Sequence, residues 1–160
     1  MKTILVRTAL LVMTTTPAWA DHPSMPANAP PAFETECGGC HLAFPPALLS
    51  GSDWKRVMAR LDRHYGDNAT LDETTRRQIE DFLARNGGSP RQVGTGAGDP
   101  PRLTATGWFR REHHEVPAAA WNDQQIGSPA NCAACHTRAV AGSFSEHELS
   151  LPGGRRHERD

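Results

Sequence analysis

Apolar side chains recur at helical spacing at Trp54, Val57, Met58 and Leu61, which predicts an amphipathic helix over residues 53–63 with Ser52 or Asp53 as its cap. A second stripe, Ile79, Phe82 and Leu83, predicts a helix over residues 71–86. Thr70 and Glu73 stand at capping-box spacing before it, and Gly87 supplies the stop. Farther along, residues 107–115 and 117–122 each read as a short helix, and residues 130–138 as a third. No alternating pattern of useful length marks a strand, so the class is mainly α, short helices joined by irregular loops. Residues 87–107 are rich in Gly and Pro and lack apolar periodicity, which reads as a linker between two small lobes, 21–90 and 91–160. Residues 21–31, with four prolines, read as an extended or disordered lead-in, and the charged tail 155–160 as frayed.

The first 20 residues fall outside this fold pattern. Lys2 and Arg7 precede a short apolar run, and Ala18-Trp19-Ala20 ends it with the small-residue spacing of a cleavage site. Residues 1–20 therefore read as an export signal and place the protein in the periplasm. An uncleaved anchor is the alternative, and the shortness of the apolar run, which ends in threonines, weighs against it. Removing Lys2 and Arg7 from 17 basic residues leaves 15 against 18 acidic ones, a near-neutral balance that gives no reason to expect nucleic acid as a partner. No later apolar run approaches the roughly 20 residues of a membrane helix. Hydrophobic residues make up only 38% of the chain, little for a domain that must fill its own interior. Something besides side chains is expected to complete the core.

The cysteines say what. All four fall into two pairs, Cys37-Gly38-Gly39-Cys40-His41 and Cys132-Ala133-Ala134-Cys135-His136, and both are C-x-x-C-H, the attachment pattern of c-type haem. Two thiols add across the haem vinyl groups and the adjoining histidine reaches the iron as proximal ligand. Two intervening residues put both sulfurs on one side of a turn, and small ones let the backbone approach the ring. Two disulfides, one four-thiolate zinc or iron–sulfur site, or two redox-active C-x-x-C pairs would use the same cysteines. None of them requires a histidine after both pairs, in a chain with 8 histidines among 160 residues. Attachment after export agrees with the leading segment.

The sixth position of each iron then decides between electron carrier and ligand-binding centre. His64 continues the stripe of Trp54, Val57, Met58 and Leu61 and so lies at the end of an apolar face, where its ring needs a partner. It is the candidate for the first haem, with Met58 as rival. His113 lies four residues after Phe109 and three before Val116, on the apolar side of its helix. It is the candidate for the second, with His114 and His147 behind it. His22 and His157 fall in the expected frayed ends. The carbonyls of Pro45 and Pro46 are candidates to receive the Nδ1–H of His41, and Trp54, Trp108 and Trp121 to pack on the haems. Two imidazoles at each iron would leave no open position and hold the potentials below those of His/Met cytochromes.

The run Cys37–His41, Phe44-Pro45-Pro46, Leu48-Leu49, Trp54, Met58, Leu61 and His64-Tyr65-Gly66-Asp67-Asn68-Ala69-Thr70-Leu71-Asp72 resembles the bacterial dihaem cytochrome c family. The second half agrees through Trp108-Phe109, Glu112-His113, Val116-Pro117, Trp121, Ser128, Cys132–His136, Ala139, Gly142 and Pro152. The resemblance implies short helices and loops wrapped around two covalent haems, with His64 and His113 as distal ligands opposite His41 and His136. It implies an exported one-electron carrier, not an enzyme, in a context where a membrane cytochrome b is the donor and a small high-spin monohaem cytochrome c the acceptor. Two other roles compete: a dihaem peroxidase-like or reductase enzyme with one labile distal ligand, for which the chain is short, and a redox subunit of a larger oxidoreductase.

Overall fold

The computed structural model describes residues 23–151. The expected export signal, the charged tail, His22 and His157 lie outside them. Among the described residues the chain forms five α-helices and a series of 3-10 turns, with only isolated β-bridges between extended segments. The mainly α reading holds.

Helix α1 (Pro31–Gly38) has proline at its first position, where a missing N–H costs nothing. Its one buried side chain, Phe33, meets Phe82 with ring centroids 5.0 Å apart. Residues 23–30 are not helical, yet Met25 and Ala29 lean on the core, so this stretch is less free than its prolines suggest. Helix α2 (Gly51–Met58) starts two residues before its predicted position. Ser50 caps it, its hydroxyl accepting the Asp53 N–H at 3.1 Å. Asp53 cannot serve as cap, because its carboxylate accepts the Gly96 N–H at 2.9 Å across the fold. Beyond Met58 the chain tightens into a 3-10 turn, Leu61–Arg63, and the Leu61 carbonyl accepts the N–H of Ala69 in place of a helical partner. The apolar stripe survives this break, with Trp54, Val57 and Met58 buried and Leu61 half-buried.

Helix α3 (Glu73–Asn86) buries Ile79, Phe82 and Leu83, the predicted face. Its cap differs from the predicted box. Asp72 accepts from the N–H groups of Thr74 and Thr75 at 3.0 and 3.1 Å, while the Thr70 hydroxyl donates to Asn68 at 2.6 Å. Gly87 does end the helix, though with an extended backbone at φ −62° and not the left-handed stop. Glycine is needed there for space: a Cβ would lie 2.5 Å from the Gly51 nitrogen, and one on Gly51 would lie 2.6 Å from the Ala84 carbonyl oxygen. The start of α2 and the end of α3 thus touch backbone to backbone.

Residues 87–107 are a packed strap, which corrects the linker reading. They contain helix α4 (Pro90–Val93) and a 3-10 turn, Leu103–Ala105, and they bury Val93, Pro101 and Leu103. Besides the Gly96 to Asp53 bond, Arg56 donates to the Gly98 carbonyl at 2.9 Å, Arg60 pairs with Asp99 at 3.1 Å and the Tyr65 hydroxyl donates to the Pro101 carbonyl at 2.6 Å. Their low periodicity reflects anchoring through backbone groups instead of an apolar face.

Helix α5 (Gly107–Glu112) is capped by the buried Thr106, whose hydroxyl accepts the Phe109 N–H at 3.1 Å. It stops short of the predicted residue 115. The helices expected over 117–122 and 130–138 are 3-10 turns only, Ala120–Asn122 and Cys132–Ala134, and a further 3-10 turn follows at Ala139–Ala141. Their backbone groups bond elsewhere: Thr137 N–H to Glu148, and Ser150 N–H to Cys135 at 2.9 Å. The last described residues fold back along the second cysteine motif. Phe109 and Leu103 join the same buried cluster as Phe33, Leu49 and Ile79.

Candidate metal centres

The first C-x-x-C-H begins in the last turn of α1, with Cys37 inside the helix and Cys40 and His41 just past it. The His41 Nδ1 lies 2.7 Å from the Leu42 carbonyl oxygen. A carbonyl only accepts, so Nδ1 carries the hydrogen and Nε2 keeps a free lone pair. That carbonyl replaces the expected one at Pro45 or Pro46; the Pro46 carbonyl instead accepts the Trp54 indole N–H at 2.7 Å. Phe44 stacks on the His41 ring at 4.9 Å.

His64 is delivered by a tight turn. Its backbone exchanges both hydrogen bonds with Asp67, at 2.8 and 3.1 Å, and the two residues between, Tyr65 and Gly66, have φ of 54° and 117°. Positive φ at both central positions is the signature of a type I′ turn, costly for tyrosine. The Tyr65 side chain is held at its far end by Pro101 and covered by the Arg102 guanidinium 4.5 Å from the ring centre, while its ring edge meets His64 at 4.7 Å. The strap therefore fixes the turn that presents His64. Burial, and secondarily the neighbouring His41, lowers the His64 pKa. Its buried Nδ1 has no hydrogen-bond partner, a cost that a bound group would relieve.

The rings of His41 and His64 face each other with centroids 6.1 Å apart and planes 20° from parallel. Those of His113 and His136 stand 6.2 Å apart, at 76°. Metal–imidazole bonds of about 2.0 Å, with each ligating nitrogen about 1.1 Å from its ring centroid, put two trans imidazoles about 6.2 Å apart. Both pairs match the span of one metal ion held from opposite sides.

His113 follows α5 directly. Its Nδ1 donates to the Phe109 carbonyl at 2.9 Å, again leaving Nε2 free, and the Phe109 ring stacks on it at 4.0 Å and 18°. Trp121 closes another side at 6.0 Å. A cleft beside this ring is lined by Thr104, Phe109, Arg110, His113, Trp121 and Pro129. His136 donates its backbone N–H to Cys132 at 2.8 Å, bridges to Leu149 and meets the edge of Phe144 at 5.5 Å. His114 points out, 71% exposed, and donates its Nδ1–H to Arg111. His147 is exposed, and Met58 is buried among the core side chains.

The four cysteines are free thiols in the structure. Burial, with help from Glu36, pushes the Cys37 thiol up to about 11, and burial raises Cys132 and Cys135 as well. Among the described residues no three His, Cys, Asp or Glu side chains gather as a metal cage, so a shared four-thiolate site does not fit. Two facing imidazoles alone under-coordinate a metal, and a porphyrin supplies the four in-plane nitrogens they lack. With a C-x-x-C pair beside one ring of each facing pair, the residues present fit haem c. Phe144 and the Leu42 and Phe109 carbonyls were not singled out from sequence, and Phe44 and Phe109 were named there for the motif and the apolar face, not as ring neighbours. Their only signal is an aromatic residue a few positions from each histidine.

The dihaem cytochrome c family model matches residues 33–144. The solved diheme cytochrome type c from Shewanella baltica OS155 is 32% identical, with TM-score 0.69, covering 80% of this chain and 97% of that one. The solved diheme cytochrome c from Rhodobacter sphaeroides is 39% identical, with TM-score 0.63, covering 73% of this chain and 98% of that one. A structure of the protein purified from the same organism is likewise 39% identical, with TM-score 0.61 over 72% of this chain and 97% of that one. No curated protein matches the chain.

Proposed function

The chain belongs to the dihaem cytochrome c family and so carries two covalent haem c groups; on that premise we propose that it is a periplasmic carrier of single electrons, with each iron held between two histidines. When bound, each haem supplies a one-electron ferric/ferrous couple. Cys37 and Cys40 tether the first through thioethers, and Cys132 and Cys135 the second. His41 and His64 ligate one iron, His136 and His113 the other, with one haem lobe on each side of residue 90.

The observation that carries this reading is the pair of ring separations, 6.1 and 6.2 Å, which leave room for one metal and no substrate between the rings. Around them the chain's work is positional. Leu42 and Phe109 hold the Nδ1 hydrogens of His41 and His113, which fixes those rings. The His64 turn and the His113 stack are backed by buried structure, so neither ligand needs to move when an electron arrives or leaves. The donor proposed is a membrane cytochrome b and the acceptor a small high-spin cytochrome c.

Carbon monoxide added to the reduced holoprotein, and cyanide to the oxidised, test the role. The expected result is no rapid spectral change at either haem. Fast binding at one haem would contradict the carrier reading and favour a dihaem enzyme with a labile ligand. Cell fractionation checks the compartment, with recovery in the periplasmic fraction expected.

A further inference from the structure

We infer that the two irons are electronically unequal because their histidine planes differ, nearly parallel at the first centre and nearly crossed at the second, and that Phe109 is the positioning residue that sets the crossed arrangement. The inference rests on the bis-histidine reading above. It concerns the orientation of the rings, which that reading leaves open.

The geometry is asymmetric. His41 and His64 lie 20° from parallel, and His113 and His136 lie at 76°. Each ring of the second pair has its own neighbour. Phe109 lies flat on His113 at 4.0 Å and 18° while its carbonyl takes the Nδ1 hydrogen, so the ring can neither spin nor tilt without losing a contact. Phe144 meets His136 edge-on at 5.5 Å and 61°. In the first pair Phe44 lies on His41 at 22° and the His64 ring lies 20° from His41, so both neighbours run close to the His41 plane.

Ring orientation matters because the π system of an imidazole overlaps the iron d orbital that is perpendicular to the ring plane. Parallel rings act on the same member of the iron dπ pair and split it. Crossed rings act on one member each and leave the pair nearly degenerate. Low-spin ferric iron has one hole in this set, so a split pair stabilises it, while ferrous iron fills both members and gains nothing from splitting. The ligand planes therefore favour the ferric state at the His41–His64 centre and make the His113–His136 centre the easier to reduce. Electrons are drawn from the first motif towards the second.

Low-temperature EPR of the oxidised holoprotein tests this, followed by a redox titration read through the same signals. Two ferric signals of equal iron content are expected: one rhombic with three resolved features, from the parallel centre, and one with a single large-g feature at low field, from the crossed centre. The low-field signal should disappear first on reduction. Phe109→Leu should move the low-field feature to higher field and leave the rhombic signal unchanged, while Phe109→Tyr, which keeps the stack, should leave both in place. Two rhombic low-spin signals would overturn the inference while sparing the bis-histidine reading. A high-spin signal would overturn that reading itself. Loss of the rhombic signal first would overturn the order of reduction, and an unmoved low-field feature in a haem-loaded Phe109→Leu protein would remove Phe109 from its role.

Discussion

An imidazole ligates well when its second nitrogen is already committed, and at His41 and His113 the commitment is a backbone carbonyl, Leu42 in one case and Phe109 in the other. Removing either distal ring should open its iron without disturbing the other. His113→Ala is expected to yield a high-spin, carbon monoxide-binding second haem and an unchanged first haem, and His64→Ala the reverse, both read from absorption spectra of the reduced protein. At this scale much was legible in sequence. The C-x-x-C-H pairs are compact and chemically specific, and the apolar faces before His64 and around His113 singled those two out from His114 and His147. The partner carbonyls were not legible, because any residue supplies a carbonyl and only the folded backbone says which one the ring reaches. The Pro46 carbonyl was closest to hand and is taken by Trp54.

The elements that carry these rings depend on their caps and corners. Ser50 is 2% exposed and holds the first turn of α2, so Ser50→Ala should cost about 1 kcal/mol in denaturant unfolding. Gly87→Ala forces a methyl against the start of α2 and should cost about 2 kcal/mol or more. The first turn of α3 adds an acid-sensitive contribution. Hydrogen bonds from Arg76, then Arg77, pull Glu73 down from its usual 4.5 to about 2, and Asp72 is lowered by its bonds to Thr75 and Thr74. Groups with depressed folded pKa stabilise above their unfolded values and lose that contribution as pH falls through the folded one. Stability should therefore decline from about pH 4.5 towards 2, and Glu73→Gln should flatten part of that decline, weakly and less so in high salt because the pair is exposed. The apolar stripes located α2 and α3 correctly. They missed the ends, since Ser50, Ser52 and Asp53 compete to cap α2 and Thr70 and Asp72 to cap α3, and at α2 the winner depends on contacts such as Asp53 to Gly96, far apart in sequence.

Across the molecule, side chains alone fill one region better than the other. The buried cluster draws on α1, α2, α3, the strap and α5, whereas after residue 113 the buried apolar side chains among the described residues are Ile126 and Ala139. A haem tethered by Cys132 and Cys135 would add apolar bulk to that region. A Cys132→Ser/Cys135→Ser variant, carrying only the first haem, should be cut rapidly by protease within residues 113–151 while residues 31–93 stay protected. Equal protection of both regions would show that side chains suffice. The strap over residues 87–107 was the least legible part of the fold, because Gly and Pro spell a linker when they are unanchored and a close-packed crossing when carboxylate, guanidinium and hydroxyl groups from α2 and the His64 turn hold them. No helix among the described residues is long and apolar enough to cross a membrane. Near-infrared magnetic circular dichroism of the oxidised holoprotein shows whether both irons are held by two histidines, because its charge-transfer bands report the axial ligands of ferric haem. Bis-imidazole bands accounting for both irons are predicted; a methionine–iron band or a high-spin component at either iron in the resting protein would contradict that coordination.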